Sequence, residues 1–122
     1  MPVIAIYPKD GEPWLDRAEF LRRVRAAFEQ VDLDEEAGRQ AVGKTLKTLQ
    51  SFDSAPPESI AKLQSDLAEA VTITAWNGEC DPANGVQFVW RPQEMLHIRY
   101  EAGSRRHATK LRKALGYEFE EV

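Results

Sequence analysis

The sequence predicts an α+β domain with helices packed on one face of a mainly antiparallel sheet. Three observations carry that prediction. Apolar residues recur at three- and four-residue spacings through much of residues 13–70 and again over 104–116, the spacing of one helix face. Between residues 71 and 100 they alternate instead, the period of a half-buried strand. The two patterns also come in blocks, helices first and strands after, where a parallel sheet would interleave them. The predicted order is β-α-α-α-β-β-β-α-β within one domain spanning residues 1–122.

The elements follow in turn. Val3, Ile4, Ala5, Ile6 and Tyr7 form a short apolar strand closed by Pro8, and Lys9-Asp10-Gly11-Glu12 is turn chemistry. Pro13 suits the first position of a helix over 13–30, with Phe20, Leu21, Val24, Ala27, Phe28 and Val31 on its buried face. Asp32 and Glu35 have the spacing of a capping box for a second helix, whose stripe is Val42, Leu46 and Leu49. Gly38 and Gly43 weaken that helix by about 1 kcal/mol each relative to Ala, and Gly38 or Gly43 marks a bend or the close approach of another backbone. After the break at 52–57, Pro57 opens a third helix reaching Ala70 on Ile60, Leu63 and Leu67.

Val71, Ile73 and Ala75 then alternate with Thr72, Thr74 and Trp76. Two further strands carry Val86, Phe88 and Trp90, and Leu96, Ile98 and Tyr100, on their buried face. A one-residue slip turns every side chain over, so burial selects a connection of odd length at Pro92-Gln93. Three or five residues with a bulge satisfy this and oppose Trp90 to Leu96, Phe88 to Ile98 and Val86 to Tyr100. Ser104 caps a last helix with Ala108, Leu111 and Leu115 inward and Gly116 as its stop, and 117–122 alternate once more.

Composition limits the function classes. A chain of 122 residues, 43% hydrophobic and 30% charged, buries a core without a metal or disulfide staple. A net charge of −4 supplies no global attraction to nucleic acid or anionic lipid. Cys80 is the single cysteine and excludes an intramolecular disulfide. Its flanking acids, Glu79 and Asp81, raise rather than lower a thiol pKa. The apolar run at 3–7 is too short for a signal peptide or a membrane span, so a cytoplasmic location without membrane attachment is expected.

Two surfaces stand out. The sheet face away from the helices presents Trp76, Arg91, Met95, His97 and Arg99, a mixture enriched at protein interfaces, against the plain reading of a solvated sheet face. Within 104–116, five cations and no acid occur, and Arg105, Arg106, Lys110 and Lys113 are candidates for an anionic ligand or nucleic acid. The plain reading here is a solvated helix face whose cations suit the helix C-terminus. His97 with Glu94 or Glu101 has the residue types of an acid–base pair, yet no nucleophile, metal-ligand spacing or cofactor motif accompanies it.

One stretch spells a nucleotide-binding motif. Residues 38–45, Gly-Arg-Gln-Ala-Val-Gly-Lys-Thr, spell a phosphate-binding P-loop. A working P-loop follows an apolar strand, whereas residues 32–37 are acidic and helix-forming, so the match is read as accidental. The expectation from sequence is therefore a non-enzymatic module, with no cofactor or metal, that binds a protein partner or a second copy of itself through the open sheet face.

Overall fold

The structure, a computed structural model, describes residues 3–79, 85–99 and 105–121. Its elements run β1 (Val3–Tyr7), α1 (Arg17–Ala27), β2 (Gln30–Asp34), α2 (Glu35–Gln50), α3 (Pro57–Asp66), β3 (Val71–Trp76), β4 (Gly85–Trp90), β5 (Leu96–Arg99), α4 (Arg105–Leu115) and β6 (Glu118–Glu121). The fold class is α+β, and the predicted elements occur in the predicted order with one strand, β2, inserted between the first two helices. The strands form two three-stranded antiparallel sheets, ordered β5-β1-β6 and β2-β3-β4.

β2 lies where the sequence reading joined the first helix to the second. α1 starts later than expected, with Asp16 rather than Pro13 at its boundary; the Asp16 carboxylate accepts the Glu19 amide at 2.8 Å. It also ends earlier, at Ala27, because Val31 and Leu33 turn inward at strand spacing opposite Ala75 and Ile73 of β3. The Asn77 side chain accepts the Glu29 amide at 2.8 Å and fastens this corner to the end of β3. The cap of α2 shifts accordingly from Asp32 to Asp34, which accepts the Ala37 amide at 2.9 Å.

Gly38 shows why α2 tolerates a poor helix former. A Cβ there would stand 2.5 Å from the Cα of Val71, so the helix passes against the backbone of β3 where only glycine fits. Gly43 meets nothing within 4 Å. Residues 38–45 are continuous α2 interior, so the P-loop spelling has no loop with which to cradle a phosphate.

The principal core joins both sheets to α1 and α4. Ile4, Ile6, Leu96 and Ile98 from one sheet, and Ile73, Ala75, Phe88 and Trp90 from the other, close over Phe20, Val24, Leu111 and Leu115. Each such large side chain, fully buried, stabilises the fold by about 1.5–3 kcal/mol before entropy is counted. Phe20 meets Phe88 edge-on at 5.9 Å between ring centroids. A smaller cluster of Val42, Leu63 and Ala70, with Leu46, Leu49, Leu67 and Val89 against it, holds α2 and α3 to the opposite side of β3 and β4.

The predicted inward set of the central strands is buried: Val86, Phe88, Trp90, Leu96 and Ile98. Residues 91–95, five in all, connect β4 to β5, and Gln93 takes the left-handed conformation at φ 50°. Among the described residues the expected ladder between these strands does not form, however. β4 pairs with β3 and β5 with β1, so the connection is a corner between sheets rather than a hairpin turn. The side chains still converge because both strands turn the same alternate residues toward one core. The predicted partner Tyr100, the predicted cap Ser104 and residues 80–84 of the loop that holds Cys80 lie outside the described residues. α4 ends as predicted on Gly116 at φ 71°, with the Tyr117 amide donating back to the Arg112 carbonyl at 3.1 Å.

Candidate functional site

The corner between β4 and β5 is built around a buried carboxylate. Asp66, on the last turn of α3, has a side chain only 4% exposed. Burying an unpaired carboxylate is costly, and two cations compensate this one. Lys62 Nζ reaches Asp66 Oδ2 at 2.7 Å and also donates to the Pro92 carbonyl at 2.7 Å. Arg91 Nε lies 3.0 Å from the same oxygen, off the hydrogen-bonding axis, so this contact is an ion pair without a directed hydrogen bond. The other end of the Arg91 guanidinium donates to Glu94 at 2.7 Å. Four charges thus tie α3 to the corner and hold Arg91 in place.

Beside this network an open pocket of about 480 Å³ lies between α2 and the corner. Ala41, Val42 and Val89 supply apolar surface, and Thr45, Arg91, Glu94, Met95 and His97 complete the lining. Met95 is 39% exposed although it is a large apolar side chain. His97 is exposed on β5 opposite Ala5, and among the described residues its imidazole has no hydrogen-bond partner. Glu94, one of its expected orienting partners, is engaged by Arg91 instead, and Glu101 lies outside the described residues. The Thr45 hydroxyl donates to the Ala41 carbonyl of its own helix. These groups set apolar surface beside a balanced set of charges, and among the described residues no hydrogen bond links His97 to Glu94.

The structure therefore brings together Arg91, Met95 and His97 of the predicted partner-binding set, with Arg99 two residues along β5. Trp76 is separated from them. It pairs with Gly85 at the far end of the β3–β4 ladder, while Arg91 follows Trp90, which pairs with Val71. At about 3.3 Å per residue, that places it roughly 17 Å or more away. The face is also less open than expected, because α2 and α3 cover its Val89 end. The walls missed by the sequence reading, Ala41, Val42 and Thr45, carry only a helix-stripe signal, which cannot show that one end of the stripe stops short of its sheet.

The predicted anion-binding residues divide as well. Arg105 is paired with Glu121 of β6. Arg106, Lys110 and Lys113 stand at i, i+4 and i+7, all exposed, and Lys110 Nζ lies 5.3 Å from the Phe28 ring centroid. Arg112 covers the Phe119 ring at 5.3 Å. Among the described residues no group of three or more His, Cys, Asp or Glu is placed to hold a metal, and no helix is long and apolar enough to cross a membrane. The chain matches no protein-family model, no curated protein and no solved structure.

Proposed function

We propose that this chain is a non-enzymatic interaction module whose protein partner inserts an apolar side chain into the pocket between α2 and the β4–β5 corner. The observation that carries this reading is Met95, exposed at the rim of a cavity whose Ala41, Val42 and Val89 surface is apolar. Arg91 is already matched by Asp66 and Glu94, so the mixed lining offers apolar surface on Ala41, Val89 and Met95 beside charges that are balanced within the chain. Met95→Glu tests it. The substitution adds a charge at an exposed position, leaves the core intact, and is expected to abolish partner capture. Sedimentation of the wild-type chain shows whether the partner is a second copy. Capture and sedimentation that are both unchanged in Met95→Glu would remove the proposal.

A second reading, binding of an anionic ligand or nucleic acid along α4, rests on the exposed stripe of Arg106, Lys110 and Lys113. It requires binding to a duplex oligonucleotide that falls steeply with salt and weakens in a Lys110→Ala/Lys113→Ala double variant. Absence of binding at low salt ends it.

A further inference from the structure

The β5-β1-β6 sheet ends in an edge that the pocket leaves unused. β6 pairs with β1 residue for residue, from Glu121 opposite Ile4 to Glu118 opposite Tyr7, with no bulge. Its other side has no strand neighbour among the described residues, and all four of its residues are exposed. Such an edge is a template for an incoming strand, and proteins commonly blunt it with Lys, Pro or a bulge. β6 carries no Lys, Pro or bulge; its short length and three Glu residues deter a like-charged strand but not a cationic one, and it displays Phe119, 41% exposed, in its middle.

Its charge defines what it can accept. Glu121 is matched by Arg105, and Arg112 lies over Phe119, so the side of β6 toward α4 is compensated. Glu118 and Glu120 fall on the other side of the pleat, with Tyr7 and Ala5 of β1. No ion-pair partner for either occurs among the described residues. The Tyr7 hydroxyl registers the local field: burial raises its pKa first, and Glu120, Glu118 and Asp10 raise it further. Two β6 edges laid together would set these acids against each other, so a second copy is disfavoured and a cationic strand is matched.

We infer that β6 is a strand-addition site for an extended, Lys- or Arg-rich segment of a partner protein. The backbone edge supplies the hydrogen bonds, Phe119 an apolar anchor, and Glu118 and Glu120 the selectivity for cations. The site is separate from the pocket and does not depend on it.

The probe is a fluorescent peptide of alternating Lys and Val, with a Glu–Val peptide and an N-methylated Lys–Val peptide as comparators. The full chain is expected to bind only the unmethylated Lys–Val peptide, more weakly as salt rises, with gained hydrogen-exchange protection across 118–121. Glu118→Lys/Glu120→Lys weakens binding by roughly tenfold or more, and Glu118→Gln/Glu120→Gln by less. All four substitutions are at exposed positions, and circular dichroism confirms the fold of each variant. Binding without protection of 118–121, retained binding of the N-methylated peptide, equal binding of the Glu–Val peptide, or no binding at low salt would each overturn the inference. Met95→Glu leaves this binding unchanged.

Discussion

Asp66 of α3 and Arg91 at the end of β4 form an ion pair at 3.0 Å across the corner that joins the two sheets. Because Asp66 is nearly fully buried, removing Arg91 leaves a carboxylate balanced by Lys62 alone. Arg91→Met is expected to destabilise the fold by about 3 kcal/mol, and Asp66→Leu added to it to restore much of that loss. Urea unfolding of the two variants measures both values. Equal stability of wild type and Arg91→Met would show that the network does not hold the corner.

The two glycines of α2 are expected to respond in opposite directions. Gly38→Ala places a methyl group 2.5 Å from the Val71 Cα, a backbone atom that cannot rotate away. The resulting separation of α2 from β3 costs about 1–3 kcal/mol. Gly43→Ala meets open space and stabilises by up to about 1 kcal/mol through helix propensity. Thermal unfolding of the pair under one buffer decides the matter.

That contrast also shows what the sequence makes legible. The stripes of α1, α3 and α4, the Gly116 stop and the inward set from Val86 to Ile98 follow from spacing alone, since each depends on neighbours in the chain. β2 did not. Val31 fits the end of the first helix stripe and Leu33 belongs to neither stripe, and only pairing with β3 makes them a strand. Local alternation could place Trp90 and Leu96 on one face, but whether their strands pair is decided by β1, far away in sequence. The pocket is partly legible for the same reason: Arg91, Met95 and His97 are close in the chain, whereas Ala41, Val42 and Thr45 arrive by tertiary packing.

Glu19 gives a prediction in acid. Hydrogen bonds from Arg22 and then Arg23 lower its pKa from 4.5 to about 2. The depressed group stabilises the fold above its unfolded pKa, and the contribution fades as pH falls from 4.5 through 2. Wild type should therefore exceed Glu19→Gln in stability at neutral pH and converge with it in strong acid. A difference that persists unchanged to the lowest pH would contradict the pairing.

Tyr117 gives the alkaline counterpart. Its hydroxyl oxygen accepts the Leu15 amide at 3.1 Å, and burial raises its pKa above 10.0. A raised pKa means that its contribution is complete below the unfolded value and is lost as pH rises through the folded one. Tyr117→Phe should cost about 1 kcal/mol at neutral pH, with the amide left without its acceptor. Its stability curve should then be flatter than that of wild type above pH 10.0, as equilibrium unfolding across that range would show.

The proposed docking role of the pocket is tested most directly by photocrosslinking from within it. The chain has two methionines, Met1 and Met95, so photo-methionine places its only internal label at the rim. The proposal predicts a discrete protein adduct at Met95 that is lost when Ala41→Trp fills the pocket and retained in Lys110→Ala/Lys113→Ala. No adduct at Met95, or an adduct indifferent to Ala41→Trp in a folded variant, would contradict it.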